Sequence, residues 1–200
     1  MLIWWNAVSG ASSYRVEYST NVAGPFSSID PANPNTTQTN RTHVVSATSS
    51  PVAYVYRVRS VDSNGNVSNN ISSYDYAVAG AQLFAIGHAI DEPLRKNLSP
   101  VRGADIGELR NAIDALRAAA STTSNPLPPV WNGAAPTGAI TASSLTSLQA
   151  PLNTALQAFG WPSFGYAGVA APTPCVSQPC VPILSEHVQQ LRDTLRNALR

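Results

Sequence analysis

Lysine is almost missing from this chain. Lys96 stands alone among 12 basic side chains, and the 11 acidic ones leave a net charge of +1. Charged residues make up 12% of the sequence, about half the usual share of roughly 25%. The scarcity is even along the chain. Up to Gly80, Arg15, Arg41, Arg57 and Arg59 meet Glu17, Asp30, Asp62 and Asp75. Neither half carries a field that would draw in nucleic acid or an anionic membrane. No apolar run approaches the roughly 18–20 residues that span a bilayer. The opening Met1-Leu-Ile-Trp-Trp5 lacks a basic n-region and a small-residue cleavage site, so it reads as the middle of a strand and not as a signal peptide. A Gly-x-Ser-x-Gly elbow, a phosphate loop and a Ser-His-Asp order are all missing. His43, His88 and His187 are scattered, and the adjacent Asp91 and Glu92 precede a proline turn. The expectation is a non-enzymatic protein with no catalytic residue, no metal and no cofactor. A weakly charged surface rich in Ser, Thr, Ala and Asn is sparingly soluble by itself, so neighbours or glycans are expected to cover much of it.

What the sequence does have is a segment used three times in its second half. It starts at Val101, Ile140 and Ile183, with apolar residues at matching offsets. These are Ile106, Leu109 and Ile113; Leu145, Leu148 and Leu152; Val188, Leu191 and Leu195. Steps of three and four are helical spacing. One such helix has a single apolar stripe that it cannot bury alone, whereas three can bury their stripes against one another. Helices are expected from about Gly103 to Ala120, from Ala142 to Phe159 and from Ser185 to Arg200. Pro151 is expected to kink or split the second near Gln149, and Ser185 is a candidate N-cap for the third. The linkers repeat too, with Trp131 and Tyr166 in matching places, each expected to cap the seam of its repeat.

Residues 1–79 read as β-structure. Tyr14, Val16 and Tyr18 alternate with Arg15, Glu17 and Ser19, and Tyr54, Tyr56 and Val58 with Val55, Arg57 and Arg59. Further short strands are expected over Thr42–Ala47 and Ile71–Val78. Turn signals fall at 8–11, 23–25, 31–34 and 63–66, which suits an antiparallel sandwich. If the long strands pair, Arg15 and Glu17 face Arg57 and Arg59, an ordinary surface pairing worth under ~1 kcal/mol. Asn35, Asn40, Asn66, Asn70 and Asn97 each begin an Asn-x-Ser/Thr triplet and are candidate glycosylation sites.

Trp5 followed nine positions later by Tyr14, and the run Tyr54-Val-Tyr56-Arg-Val-Arg-Ser-Val-Asp-Ser-Asn-Gly-Asn-Val-Ser68, resemble a fibronectin type III domain. The resemblance implies that Trp5 is the core tryptophan and that Tyr54 or Tyr56 sits near the tyrosine corner. It also implies an absence, because family members begin with a strand before the one that carries the tryptophan. Either the sequence is a truncated reading of a longer product, or another chain fills the gap, or another part of this chain does. An open edge is a template for strand addition. If Trp5 faces inward, Trp4 faces outward and is a candidate interface residue.

The second half resembles a helical repeat module of secreted bacterial proteins, whose motif is Ile-x-x-x-His-x-x-x-Leu-Arg after an aromatic residue and a Pro/Thr link. The third copy matches through Ile183, His187, Leu191 and Arg192. The first has Asp105 at the His position and keeps Leu109 and Arg110; the second has Ser144, with Gln149 in place of the Arg. The resemblance implies an exported protein. In that setting Cys175 and Cys180, flanking Val-Ser-Gln-Pro, are expected to form a disulfide; a metal site would need two more ligands, and only His187 lies nearby in sequence. Arg110 and Arg192 are expected to bond a linker carbonyl or a carboxylate such as Glu108 or Glu186.

The fold class expected is α+β in two domains: a fibronectin type III-like sandwich over 1–79, a connector over 80–100 and a three-repeat helical domain over 101–200. The function expected is that of an extracellular or cell-surface structural protein, a subunit that assembles with itself into a filament through the open sandwich edge. The alternative is an accessory binding or spacer region of a larger secreted protein, its partners surface glycans or other extracellular proteins. No nucleic acid and no membrane span are expected.

Overall fold

A computed structural model describes residues 1–46, 48–80, 101–128, 130–131, 133–135, 140–173 and 182–196. It is α+β, and the described residues form seven antiparallel strands followed by three helices. The strands are β1 (Leu2–Trp4), β2 (Ser13–Ser19), β3 (Ser27–Ser28), β4 (Asn35–Thr36), β5 (Asn40–Thr42), β6 (Val52–Val61) and β7 (Asp75–Ala79). The helices are α1 (Gly103–Ala120), α2 (Ala142–Ala158) and α3 (Ser185–Arg196).

The long alternating runs pair as their pattern requires. β2 and β6 lie antiparallel with Tyr14 opposite Ser60, Val16 opposite Val58 and Tyr18 opposite Tyr56. β3 and β4 add to the far side of β2, and β7 adds to β6. Among the described residues β1 pairs only with β5, with Ile3 opposite Arg41. Because side chains alternate along a strand, the five-stranded sheet has two different faces. One carries Val16, Tyr18, Tyr54, Tyr56, Val58 and Ala77 and packs with Ile3 and Trp5 of the β1 region. The other carries Ala53, Val55, Tyr76 and Val78 and packs against the helices in one continuous cluster.

The helical stripes are buried as their spacing demands. All nine residues from Ile106 to Leu195 at the matching offsets have no exposed surface, worth about 1.5–3 kcal/mol for each Val, Leu or Ile side chain. α2 runs unbroken through Pro151, contrary to the split expected near Gln149. Proline in a helix interior costs about 3 kcal/mol, but Pro151 is itself buried between the fully buried Leu148 and Leu152, so packing outweighs the lost hydrogen bond. Helices and sheet are also tied by polar groups. Val22 N–H donates to Ala119 O at 2.8 Å, and the Tyr76 hydroxyl donates to Thr194 O at 2.8 Å.

Two strand expectations shift. β5 is Asn40–Thr42 in place of Thr42–Ala47, and β7 starts at Asp75 in place of Ile71. The second shift has a visible cause. Ser72 Oγ accepts from Val58 N–H at 2.9 Å while Ser72 N–H donates to Val58 O at 3.0 Å. A side chain takes one rung of the ladder, and the regular pairing begins only beyond it.

Candidate functional site

The alternation that buries Ile3 sends its neighbours out: Leu2 is 47% and Trp4 52% exposed. Trp4 therefore faces outward as expected. Trp5 is half-buried beyond the end of β1, with its ring edge-on to Tyr14 at 5.5 Å. Its Nε1–H is buried and has no acceptor among the described residues, an unmet donor of the kind that costs about 1–3 kcal/mol.

Beside β1 lies a groove of about 470 Å³ whose aromatic wall is Trp4, Trp5, Tyr56, Tyr74 and Trp161. Its polar rim comes from Asn6, Ser72, Ser73, Arg57 and Asp75. The two charged groups are already engaged. Arg57 Nε donates to Glu17 Oε2 at 2.6 Å, and its guanidinium lies 4.0 Å from the centre of the Phe26 ring. The Asp75 carboxylate accepts from Tyr76 N–H at 2.8 Å. A second groove, of about 340 Å³, shares Trp161 with the first and is lined by Tyr76, Ser163, Phe164, Gln190 and Asp193 among others. The Trp161 indole N–H donates to Tyr74 O at 3.0 Å. That bond joins a loop after α2 to the residues just before β7, so the wall between the grooves is built by both halves of the chain.

The charged pairing on the sheet has the expected register, with Arg15 opposite Arg59 and Glu17 opposite Arg57. It is not the exposed surface pair expected, since Glu17 is only 7% exposed and also lies 3.7 Å from Arg59. His43 is buried, with Nδ1 at 3.0 Å from the Tyr56 hydroxyl and its ring against Tyr18 and Tyr54. Burial, helped by the positive amino terminus, lowers its pKa below 6.5. Burial pushes the Tyr56 hydroxyl well above the ordinary tyrosine range.

The repeat signature acquires a physical meaning. Asp105, Ser144 and His187 sit three residues after the residue that precedes their helix, and each accepts a hydrogen bond from that residue's N–H. The distances are 2.6 Å from Arg102, 3.3 Å from Thr141 and 2.9 Å from Leu184. This is the return half of a capping box. Asp, Ser and neutral His serve alike because each offers an acceptor at that reach. In α3 it falls to His187 at Leu184, and the expected cap Ser185 is the first helical residue. His187 Nε2 donates to Ala170 O at 2.9 Å and so holds its linker as well.

The arginines follow the expected pattern. Arg110 donates to the linker carbonyl of Ala134 at 3.1 Å and lies over Trp131. Arg192, fully buried, donates to Asp105 at 2.7 Å and Glu108 at 3.3 Å, tying α3 to α1. Trp131 is fixed by its indole N–H on the Asp114 carboxylate at 2.8 Å. Tyr166 packs edge-on to His187, and burial pushes its hydroxyl up to about 12.

Asn35, Asn40, Asn66 and Asn70 are all exposed; Asn35 accepts from Arg15, and Asn66 donates to Asp62. Asn97, Cys175, Cys180, His88, Asp91, Glu92 and the connector from residue 81 lie outside the described residues. Among the described residues, no group of three or more His, Cys, Asp or Glu could hold a metal ion, and no helix is long and apolar enough to cross a membrane. The chain matches no protein-family model, no curated protein and no solved structure. The sequence singles out Trp4 as a candidate interface residue but not Tyr74 and Trp161, which line the same groove. The only signal for them was that two more exposed-type aromatics sat near Ser- and Pro-rich turns.

Proposed function

We propose that this protein is a non-enzymatic structural subunit of an extracellular or cell-surface filament, assembled through the free edge of β1. In this reading residues 1–79 form a fibronectin type III-like sandwich. Residues 101–200 form a three-repeat helical domain docked on its outer face. The observation that carries the reading is β1 itself. It pairs on one side with β5, has no strand along its other side among the described residues, and places the exposed Leu2 and Trp4 beside that edge. A row of unpaired backbone donors and acceptors is a template for another strand. When the strand comes from the next subunit the contact is head-to-tail, and it propagates because it does not close.

Sedimentation velocity across a concentration series, with electron microscopy of the same samples, tests this. Concentration-dependent growth into filaments is expected, and Trp4→Ala should weaken it while leaving the thermal midpoint unchanged. A chain that stays monomeric up to about 1 mM, where even a contact of about −4 kcal/mol would register, refutes the proposal.

A second reading, an accessory binding region of a larger secreted protein, is favoured by a separate observation: the aromatic groove that Trp4 shares with Tyr74 and Trp161.

A further inference from the structure

We propose that the two grooves flanking Trp161 form one track for a neutral polysaccharide. The proposal rests on the accessory-binding reading and names its ligand. Trp161 lines both grooves, with Trp4, Trp5, Tyr56 and Tyr74 beside it in one and Tyr76 and Phe164 in the other, so a chain lying along both would meet aromatic rings throughout. A pyranose ring presents flat faces of C–H groups and a girdle of hydroxyls. The faces are apolar enough to lie on an aromatic ring, and the hydroxyls need small polar partners at its edge. The grooves supply both, since exposed Ser72, Ser73 and Ser163 stand beside the rings. Volumes of about 470 and 340 Å³ lie in the range of about 300–1,000 Å³ common for small-molecule sites.

Two details point to a neutral chain. Arg57 is spent on Glu17 and Phe26, Asp75 accepts from Tyr76 N–H, and Asp193 accepts from Gln189 at 2.7 Å. Neither groove offers a free cluster of one sign to a uronate, a sulfate or an amine. The central ring is also fixed in advance. Trp161 is held by its bond to Tyr74 O and by the edge-on Tyr76 ring at 5.7 Å. Binding therefore costs little ordering of that side chain.

The chain has four tryptophans, and their indole N–H resonances read the track directly in the ¹⁵N-labelled full chain. Trp4, Trp5 and Trp161 line it, while Trp131, held on Asp114 and lining neither groove, is an internal control. The probes are cellohexaose, mannohexaose and chitohexaose. At least one should move the Trp4 and Trp161 signals saturably and leave Trp131 in place. The exposed Trp4→Ala should lower that affinity by about twofold and Trp161→Ala by at least about fivefold, as expected for the loss of an aromatic contact. The wild-type signals decide the matter if Trp161→Ala fails to fold. No movement with any of the three probes overturns the track, as does movement with polygalacturonate or an apolar peptide alone. Adsorption of the protein to a polysaccharide with all four signals unmoved also overturns the track while leaving the accessory-binding reading intact.

Discussion

The helices hide their apolar stripes from water, whereas β1 and the loops between the strands leave several large apolar side chains exposed. Nine stripe residues on α1, α2 and α3 have no exposed surface, while five of the six large apolar side chains exposed among the described residues lie before residue 80: Leu2, Trp4, Val8, Val44 and Ile71. The two regions differ because their elements close differently. A repeated helix carries its own complement, since the stripe of one copy fits the stripe of the next. A sheet is complete only where its edges are paired or covered, and among the described residues β1 has β5 on one side alone. The helical stripes thus close on one another and on one sheet face, while β1 keeps an edge without a strand among the described residues.

The sharpest way to break this comparison is through Arg192. Its guanidinium is buried between Asp105 and Glu108, so Arg192→Met leaves two carboxylates facing a thioether. Removing one member of a buried ionic group costs about 3–5 kcal/mol. Because Ala53, Val55, Tyr76 and Val78 of the sheet share a core with the helices, the loss should reach both regions. Denaturant unfolding followed by helical circular dichroism and by tryptophan fluorescence should show one common, lowered midpoint. A fluorescence midpoint that stays put while the helical one falls would mean that the strands fold without the helices.

A smaller effect sharpens the helical side. His187→Ala deletes the acceptor for Leu184 N–H and the donor to Ala170 O, with a cost of about 1–3 kcal/mol for the groups left unpaired. His187→Asp restores the first of these, because Asp105 does the same work in the first copy. The aspartate variant should therefore be the more stable of the two in a thermal melt. Equal midpoints would mean that the capping bond contributes nothing and that the bond to Ala170 carries the whole effect.

These variants also mark where the sequence stops being legible. The stripes could be read because burial on a helix repeats with a fixed period, and Ile106 through Leu195 fell where that period put them. The register of β2 on β6 could be read because alternation leaves few choices. The capping position could not, since Asp105, Ser144 and His187 look like three departures from one motif until geometry shows that each is an acceptor at the same reach. The split expected at Pro151 does not occur, because the cost of a proline is local and visible, whereas the packing that outweighs it comes from elsewhere in the chain. The groove was hidden for a similar reason. Tyr74 and Trp161 are 87 residues apart, and neither carries a local signal that the other will be its neighbour.

The smallest effect belongs to the β side, and its sign follows from burial. His43 sits among Tyr18, Tyr54 and Tyr56, with the amino terminus bonded to its own carbonyl at 2.7 Å. Desolvation first, and the positive amino terminus second, disfavour its charged form, so its pKa in the folded chain lies below the ordinary 6.5. At neutral pH both folded and unfolded chains hold it uncharged, and it makes stability no more pH-dependent there. As pH falls below about 6.5 the unfolded chain takes up the proton before the folded one does, and stability declines until the folded pKa is passed. Denaturation midpoints should therefore fall between pH 7 and pH 5 more steeply in the wild type than in His43→Gln, which keeps a polar side chain without the titration. Parallel slopes for the two proteins would mean that the ring is not held away from water as the strands around it indicate. The β side would then be more open than its aromatic contacts imply, and the contrast with the helices would widen.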